Sequence, residues 1–141
     1  MTPEIRQKLK NLLIKHESFK QFVYTDSTGH LTIGIGRNLS DRGISSSEAL
    51  GLLDDDIFYF TSKLSNLLPF FDQLDDNRKI VLVDMCFNLG INGFLEFREM
   101  LLAIERGDFD TGANEILQSK AANQARERYE QLAYIMRTGE L

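Results

Sequence analysis

His16-Glu17-Ser18-Phe19-Lys20-Gln21-Phe22-Val23-Tyr24-Thr25-Asp26-Ser27-Thr28-Gly29-His30-Leu31-Thr32-Ile33-Gly34-Ile35-Gly36 carries a helix end, a strand, a tight turn and a returning strand in one continuous stretch. Phe22-Val23-Tyr24 is aromatic and β-branched, the chemistry of a pleated half-buried surface. Asp26-Ser27-Thr28-Gly29 reads as the turn, with glycine where a positive φ is expected. On the far side Leu31, Ile33 and Ile35 alternate with His30, Thr32 and Gly34. Period two predicts the aliphatics on the packed face and Thr32 on the open one. The stretch therefore sets Glu17 at the end of a helix, Asp26 at the mouth of a hairpin and Thr32 on the return.

Upstream, Thr2-Pro3-Glu4 is a helix start: a capping hydroxyl, proline at the first position and an acid in the first turn. Ile5, Leu9, Leu12, Leu13 and His16 share one stripe, and the helix is predicted to end near Glu17. Downstream, Ser45-Ser46-Ser47-Glu48 is a capping-box pattern. A long amphipathic helix follows through Ala49, Leu52, Leu53, Ile57, Phe60 and Leu64, with Pro69 at or beyond its end. Asp75 or Asp76 caps the next helix, which runs through Leu89, is apolar nearly all round and is expected to be the central buried one. Gly90 is its predicted stop. Further helices are predicted over residues 93–105, 108–117 and 123–136. The fold class is α+β, mainly helical: a hairpin lobe at about 17–45 is joined by a long helix to a helical lobe at about 70–141, to which the N-terminal helix is added. At 141 residues this is one domain, 1–141.

Hydrophobic content of 43% supplies a core, and charged content of 26% is ordinary for a soluble chain. Cys86 is the one cysteine and lies in the apolar run Ile80–Phe87, so a small buried hydrophobe is expected. The charged start Met1–Lys10 does not suit a signal peptide, and no apolar run is long enough to span a bilayer. Synthesis in the cytoplasm without a signal peptide, and no stable membrane insertion, are therefore expected. A net charge of −5 argues against non-specific nucleic-acid binding. The charges are segregated: Lys8, Lys10, Lys15 and Lys20 crowd one end, Arg126, Arg128 and Arg137 the other, with Asp54-Asp55-Asp56 between. Gly34-Ile35-Gly36 lacks the third glycine of a dinucleotide loop and the lysine of a phosphate loop. It is read instead as backbone that a sugar approaches closely. His16 and His30 with a distant cysteine make no metal site, and no cofactor is implied.

An acid, a base and a water-holding hydroxyl are the parts needed to hydrolyse an acetal. Leu13, Phe19 and Phe22 are placed to surround Glu17, an apolar setting that favours the protonated acid. Asp26, at an exposed turn, is expected to stay ionised, and Thr32 to help hold a water beside it. Each residue also has a plain structural use. Glu17 can be a solvated helix end, Asp26 the nucleus of its own turn and Thr32 a good strand former, and taken singly these uses are the commoner ones.

The wider pattern adds specificity. Glu-x8-Asp-x5-Thr-Ile-Gly-Ile-Gly on helix, turn and strand resembles the active-site region of the tailed-phage lysozymes (endolysins), glycoside hydrolase family 24. Arg37-Asn38-Leu39, Gly43-Ile44-Ser45 and Glu48-Ala49 extend the likeness, as do Met85-Cys86-Phe87-Asn88-Leu89-Gly90, Gly107-Asp108-Phe109-Asp110, Ser119, Gln124, Arg128 and Arg137-Thr138-Gly139. The resemblance implies a muramidase cutting the β-1,4 bond between N-acetylmuramic acid and N-acetylglucosamine in bacterial peptidoglycan, for phage-type host lysis. It implies Glu17 as acid, Asp26 as second carboxylate and Thr32 orienting water in an inverting mechanism; some relatives use the aspartate as nucleophile instead. Phe87 and Asn88 match cleft-lining positions, and Arg128 an arginine that approaches the glutamate. The implied partners are peptidoglycan strands and a holin-type delivery protein, with the enzyme a monomer that acts on the wall after release.

The chain departs from the family in having no tryptophan, with Ala121 where many relatives carry one. Ala125-Arg126 replaces a smaller pair, the charge balance is acidic where many phage lysozymes are basic, and the loop from Arg37 to Ile44 is short. The missing tryptophan motivates an alternative, a non-catalytic peptidoglycan-binding or interaction module that kept the fold. A lytic transglycosylase, which cleaves the same bond without water, is a third possibility.

Overall fold

The computed structural model describes residues 1–141. Their contacts divide them into two compact units, Met1–Gly51 and Leu52–Leu141. The architecture is α+β and mainly helical, with seven α-helices and one three-stranded antiparallel sheet of order β1-β2-β3.

In the first unit, helix α1 spans Pro3–Glu17. Thr2 Oγ1 accepts from the Ile5 N–H at 3.2 Å, and proline fills the first position, where no amide partner is needed. Ile5, Leu9, Leu12 and Leu13 form the expected stripe, 40–48% exposed, and α1 has no fully buried residue. Strand β1 (Lys20–Thr25) pairs with β2 (Leu31–Gly34), with Tyr24 opposite Thr32 and an irregularity between Lys20 and Tyr24. A third strand, β3 (Arg37–Asn38), pairs on the other side of β2, setting Asn38 opposite Thr32.

That third strand overturns the expected facing of β2. Thr32 is the buried residue of the strand at 3% exposure, while Leu31 and Ile35 are 51% and 45% exposed. Thr32 has a partner on each side, so it lies at the centre of the sheet. Ile35 lies beyond the strand, in the turn that leads to β3, so the alternation stops before it. The hydroxyl of Thr32 donates to the His30 carbonyl at 3.1 Å, which lets a polar side chain sit buried without an orphaned donor.

Helix α2 (Ser46–Leu67) starts on the reciprocal capping box read from its sequence. The Ser45 N–H donates to Glu48 Oε1 at 2.9 Å and the Glu48 N–H to Ser45 Oγ at 3.1 Å. Arg37 joins this cap to β3, donating from Nη1 to Glu48 Oε1 at 3.0 Å and to the Gly43 carbonyl at 3.1 Å, with its Nη2 on Glu48 Oε2. The guanidinium and then the Ser45 amide draw the Glu48 carboxyl down from the usual 4.5 to about 2.

In the second unit, α3 spans Asp76–Leu95 with Asp75 as its cap, accepting from the Arg78 N–H at 3.2 Å. Val81, Leu82, Met85 and Cys86 are fully buried, so α3 is the central helix expected, although Ile80 and Phe87 on its other face stay 43% and 44% exposed. Burial pushes the Cys86 thiol up to about 12, leaving it an inert core group as read from sequence. Gly90 breaks the helix at φ 74°, ψ 164°, a conformation closed to a side chain, and a last turn continues to Leu95.

The helix predicted over 93–105 is therefore two pieces, that turn and α4 (Arg98–Glu105), because the chain reverses at Glu96-Phe97. Helix α5 (Phe109–Leu117) is capped by Asp108. The final helix, α7 (Arg126–Thr138), starts later than expected. Ser119 nucleates a separate short helix, α6 (Lys120–Gln124), and Ala125, at φ −139° and ψ 64°, separates the two. Helix α5 packs on α4 and α7, and α7 also meets α3 and α6.

Arg78 ties these helices together. Its Nε donates to the Met136 carbonyl at 2.7 Å and Nη2 to the Arg137 carbonyl at 3.2 Å, answering two open carbonyls at the end of α7. Nη1 donates to Asp75 at 3.0 Å, and the guanidinium lies 3.7 Å over the Phe109 ring. Lysine supplies neither the fork nor the flat face. Arg78→Lys is expected to lower stability by about 2–3 kcal/mol in urea denaturation; a loss under about 0.5 kcal/mol would show the fork to be dispensable. The Glu48 carboxylate stabilises the fold above the usual 4.5, and that contribution is lost as pH falls from there toward about 2. The Arg37→Gln variant should lose less stability than the wild type between pH 5 and pH 2, read by denaturation at each pH.

Candidate active site

Glu17, Asp26 and Thr32 all lie in the first unit, and each is positioned by backbone chemistry within it. Glu17 ends α1. The next residue, Ser18, closes the helix by donating its N–H to the Ile14 carbonyl at 3.0 Å. Ser18 sits at φ 63° and ψ 168°, the one non-glycine residue with a positive φ. That region is essentially reserved for glycine and costs a residue with a Cβ about 1–3 kcal/mol. The strain accompanies the sharp exit from α1 into β1.

The Glu17 carboxyl reaches the turn between β2 and β3. A methyl group built on Gly36 would lie 2.8 Å from Glu17 Oε2 and 2.9 Å from its Cδ. Glu17 accepts no hydrogen bond and makes no ion pair within the chain. The apolar enclosure expected around it does not form: Leu13, Phe19 and Phe22 are 43%, 68% and 76% exposed, and Glu17 itself is exposed. The physical reason is that Phe19 and Phe22 lie beyond the sharp exit at Ser18, so they do not continue the face of α1 that carries Leu13 and Glu17.

Asp26 is built in the opposite way. Its Oδ1 accepts from the Thr28 N–H at 2.9 Å, the Thr28 hydroxyl at 2.8 Å and the His30 N–H at 2.9 Å. The His30 amide and then the Thr28 hydroxyl hold this carboxyl below the ordinary aspartate range, so it stays ionised as expected. Oδ2 accepts no bond from the chain. His30 extends the network, with Nδ1 2.6 Å from the Thr28 hydroxyl and Nε2 3.2 Å from Asp41 Oδ2. His30 thus links the Asp26 turn to Asp41. The hydroxyl of Thr32 is turned onto the His30 carbonyl, so its proton is committed and only its lone pairs remain.

Phe87, Asn88 and Arg128 lie in the second unit. Phe87 packs on Phe60 with ring centroids 5.7 Å apart. Asn88 accepts from the hydroxyl of fully buried Tyr129 at 2.6 Å, which fixes its amide. The carboxylate held by Arg128 is Asp84, from Nε to Oδ1 at 2.8 Å, with Nη2 on the Asp84 carbonyl at 3.3 Å. Phe87, Asp84 and Arg128 line one groove of about 530 Å³ with Ile57, Ile80 and Val83. Asp84 was missed at the sequence level, yet a signal was present: it is the sole charge inside the apolar run Ile80–Phe87. Ala121 lines a separate hollow of about 550 Å³ with Leu89, Phe97 and Met100, beside Glu96, Glu99 and Glu115.

A helix, a hairpin and a short return strand carry the two candidate carboxyls in unlike settings. The phage lysozyme family model matches residues 14–133, and the chain belongs to that family. Two relatives from Dictyostelium discoideum, described as probable T4-type lysozyme 1 and probable T4-type lysozyme 2, are each 26% identical over 162 residues. Each match covers 94% of this chain and 95% of the relative. Ser18→Gly should relieve the strain beside Glu17 and raise stability by about 1 kcal/mol in urea denaturation; an unchanged or lower midpoint would show that the native chain does not hold that conformation.

Proposed function

We propose that the protein is a lysozyme that hydrolyses the β-1,4 bond between N-acetylmuramic acid and N-acetylglucosamine in bacterial peptidoglycan. The observation that carries this reading is the contrast between the two carboxyls. Asp26 is held ionised by three donors of its own turn, whereas Glu17 accepts none and its carboxyl is uncommitted. Glu17 donates its proton to the glycosidic oxygen as that bond breaks, and Asp26, through its uncommitted Oδ2, takes the proton of the attacking water. Thr32, its proton fixed on the His30 carbonyl, offers lone pairs that accept from the attacking water in an inverting reaction. Phe87 and Asn88 bind the glycan, Asn88 with its orientation locked by Tyr129. Arg128 orders the surface beside Phe87 through Asp84. In this reading the protein acts as a monomer in phage-type host lysis. It is made in the cytoplasm and reaches the wall after a holin-type protein opens the membrane.

A second reading, a wall-binding module without catalysis, is favoured by the hollow beside Ala121, which leaves that side of the helical unit unfilled. Digestion of purified peptidoglycan by the wild type, Glu17→Gln and Asp26→Asn separates the readings, with mass spectrometry of the soluble fragments. Reducing muramic ends from the wild type, and at least a 100-fold loss in Glu17→Gln, are expected. Anhydro ends would indicate transglycosylation. Intact glycan from a folded protein that pellets with the wall would leave the binding module.

A further inference from the structure

We propose that Gly36 is a positioning residue for the Glu17 carboxyl: its missing side chain is the space that carboxyl occupies. This rests on the reading of Glu17 as the acid. Three atoms of Glu17 crowd the place of a Gly36 side chain, Oε2 at 2.8 Å, Cδ at 2.9 Å and Cγ at 3.0 Å. A real Cβ essentially never lies within 3.0 Å of another residue's heavy atom, so a methyl at 36 displaces the Glu17 side chain. The displaced group is the far end of a flexible, exposed side chain that makes no hydrogen bond, so it yields at little cost to the fold. The damage is confined to where the carboxyl points.

The chain contains its own control. Gly34, two residues earlier, has nearly the same φ, +70° against +69°, but a methyl built on it meets nothing within 4 Å. Alanine at either position is strained by the positive φ. Only at 36 does it also meet the acid. The sugar-approach role expected of both glycines at the sequence level is thus divided. Gly34 is open, while the space at Gly36 is taken by the protein's own carboxyl.

The test compares Gly36→Ala with Gly34→Ala on purified peptidoglycan, alongside wild type and Glu17→Gln. A drop in melting temperature is expected for both alanine variants. Gly36→Ala should lose roughly 10- to 100-fold in kcat beyond Gly34→Ala, since misplacement of a reacting group by about 1 Å is worth that much. Its pH–rate profile should move, and the carboxyl-carbon NMR signal of Glu17 should shift in Gly36→Ala but not in Gly34→Ala. Binding of chitooligosaccharide in a Glu17→Gln background should be unaffected by Gly36→Ala. Equal activity losses with an unmoved Glu17 signal would overturn the proposal and leave backbone strain alone. Weakened oligosaccharide binding would overturn it too, by showing that the methyl meets the sugar. Full activity in Glu17→Gln would instead defeat the reading of Glu17 as acid, and the positioning role with it, even if the NMR signal moved.

Discussion

The guanidinium of Arg78 is the point on which the helical unit closes. A helix end leaves carbonyls that must find donors, and the end of α7 finds two of them in one side chain from the start of α3. The same group stacks on Phe109 at the start of α5 and bonds the cap residue of its own helix. Asn77 adds a bond from Nδ2 to the Gly139 carbonyl at 2.8 Å, so neighbouring residues of α3 hold the chain on either side of the last turn. With those ends secured, Tyr129 is held fully buried and its hydroxyl fixes Asn88. The orientation of a candidate glycan-binding amide thus depends on packing secured several turns away.

The hairpin unit solves the corresponding problem with carboxylates. Glu48 caps α2 and takes Arg37 from β3, so one acid joins a helix start to a strand. Asp26 takes three donors from the turn it begins. In both cases an ionised group replaces the hydrophobic mass that so short a sheet lacks, because a charge-assisted bond is stronger than a neutral one where water is partly excluded.

Most of the fold is visible in the sequence because its signals are local. The Thr2-Pro3 start, the Ser45–Glu48 box, the Asp75 cap and the Asp26–Gly29 turn each involve residues within a few positions of one another, and all form as read. What escaped is non-local. Two residues of β3 were enough to make β2 central and to bury Thr32, and no periodicity in so short a piece announces a strand. The pair formed by Arg128 and Asp84 joins positions 44 apart, and neither residue names the other. The contact of Gly36 with Glu17 depends on a missing atom, which no pattern of residue types records. The positions of the three candidate residues were therefore legible, whereas the environment of Glu17 and the facing of Thr32 were not.

The two carboxyls carry unequal weight as historical records. Asp26 is employed by its own turn, so under the proposed function a descendant that ceased to cut glycan would still be selected to keep it for folding. Thr32, at the middle of the sheet with its hydroxyl satisfied, is under similar structural selection. Glu17 has no such employment, and with Gly36 vacated for it and Ser18 strained beside it, the arrangement is a standing cost to stability. Among sister sequences, loss of activity should erode first at Glu17, Ser18 and Gly36, while Asp26 and Thr32 persist as an uninformative relic.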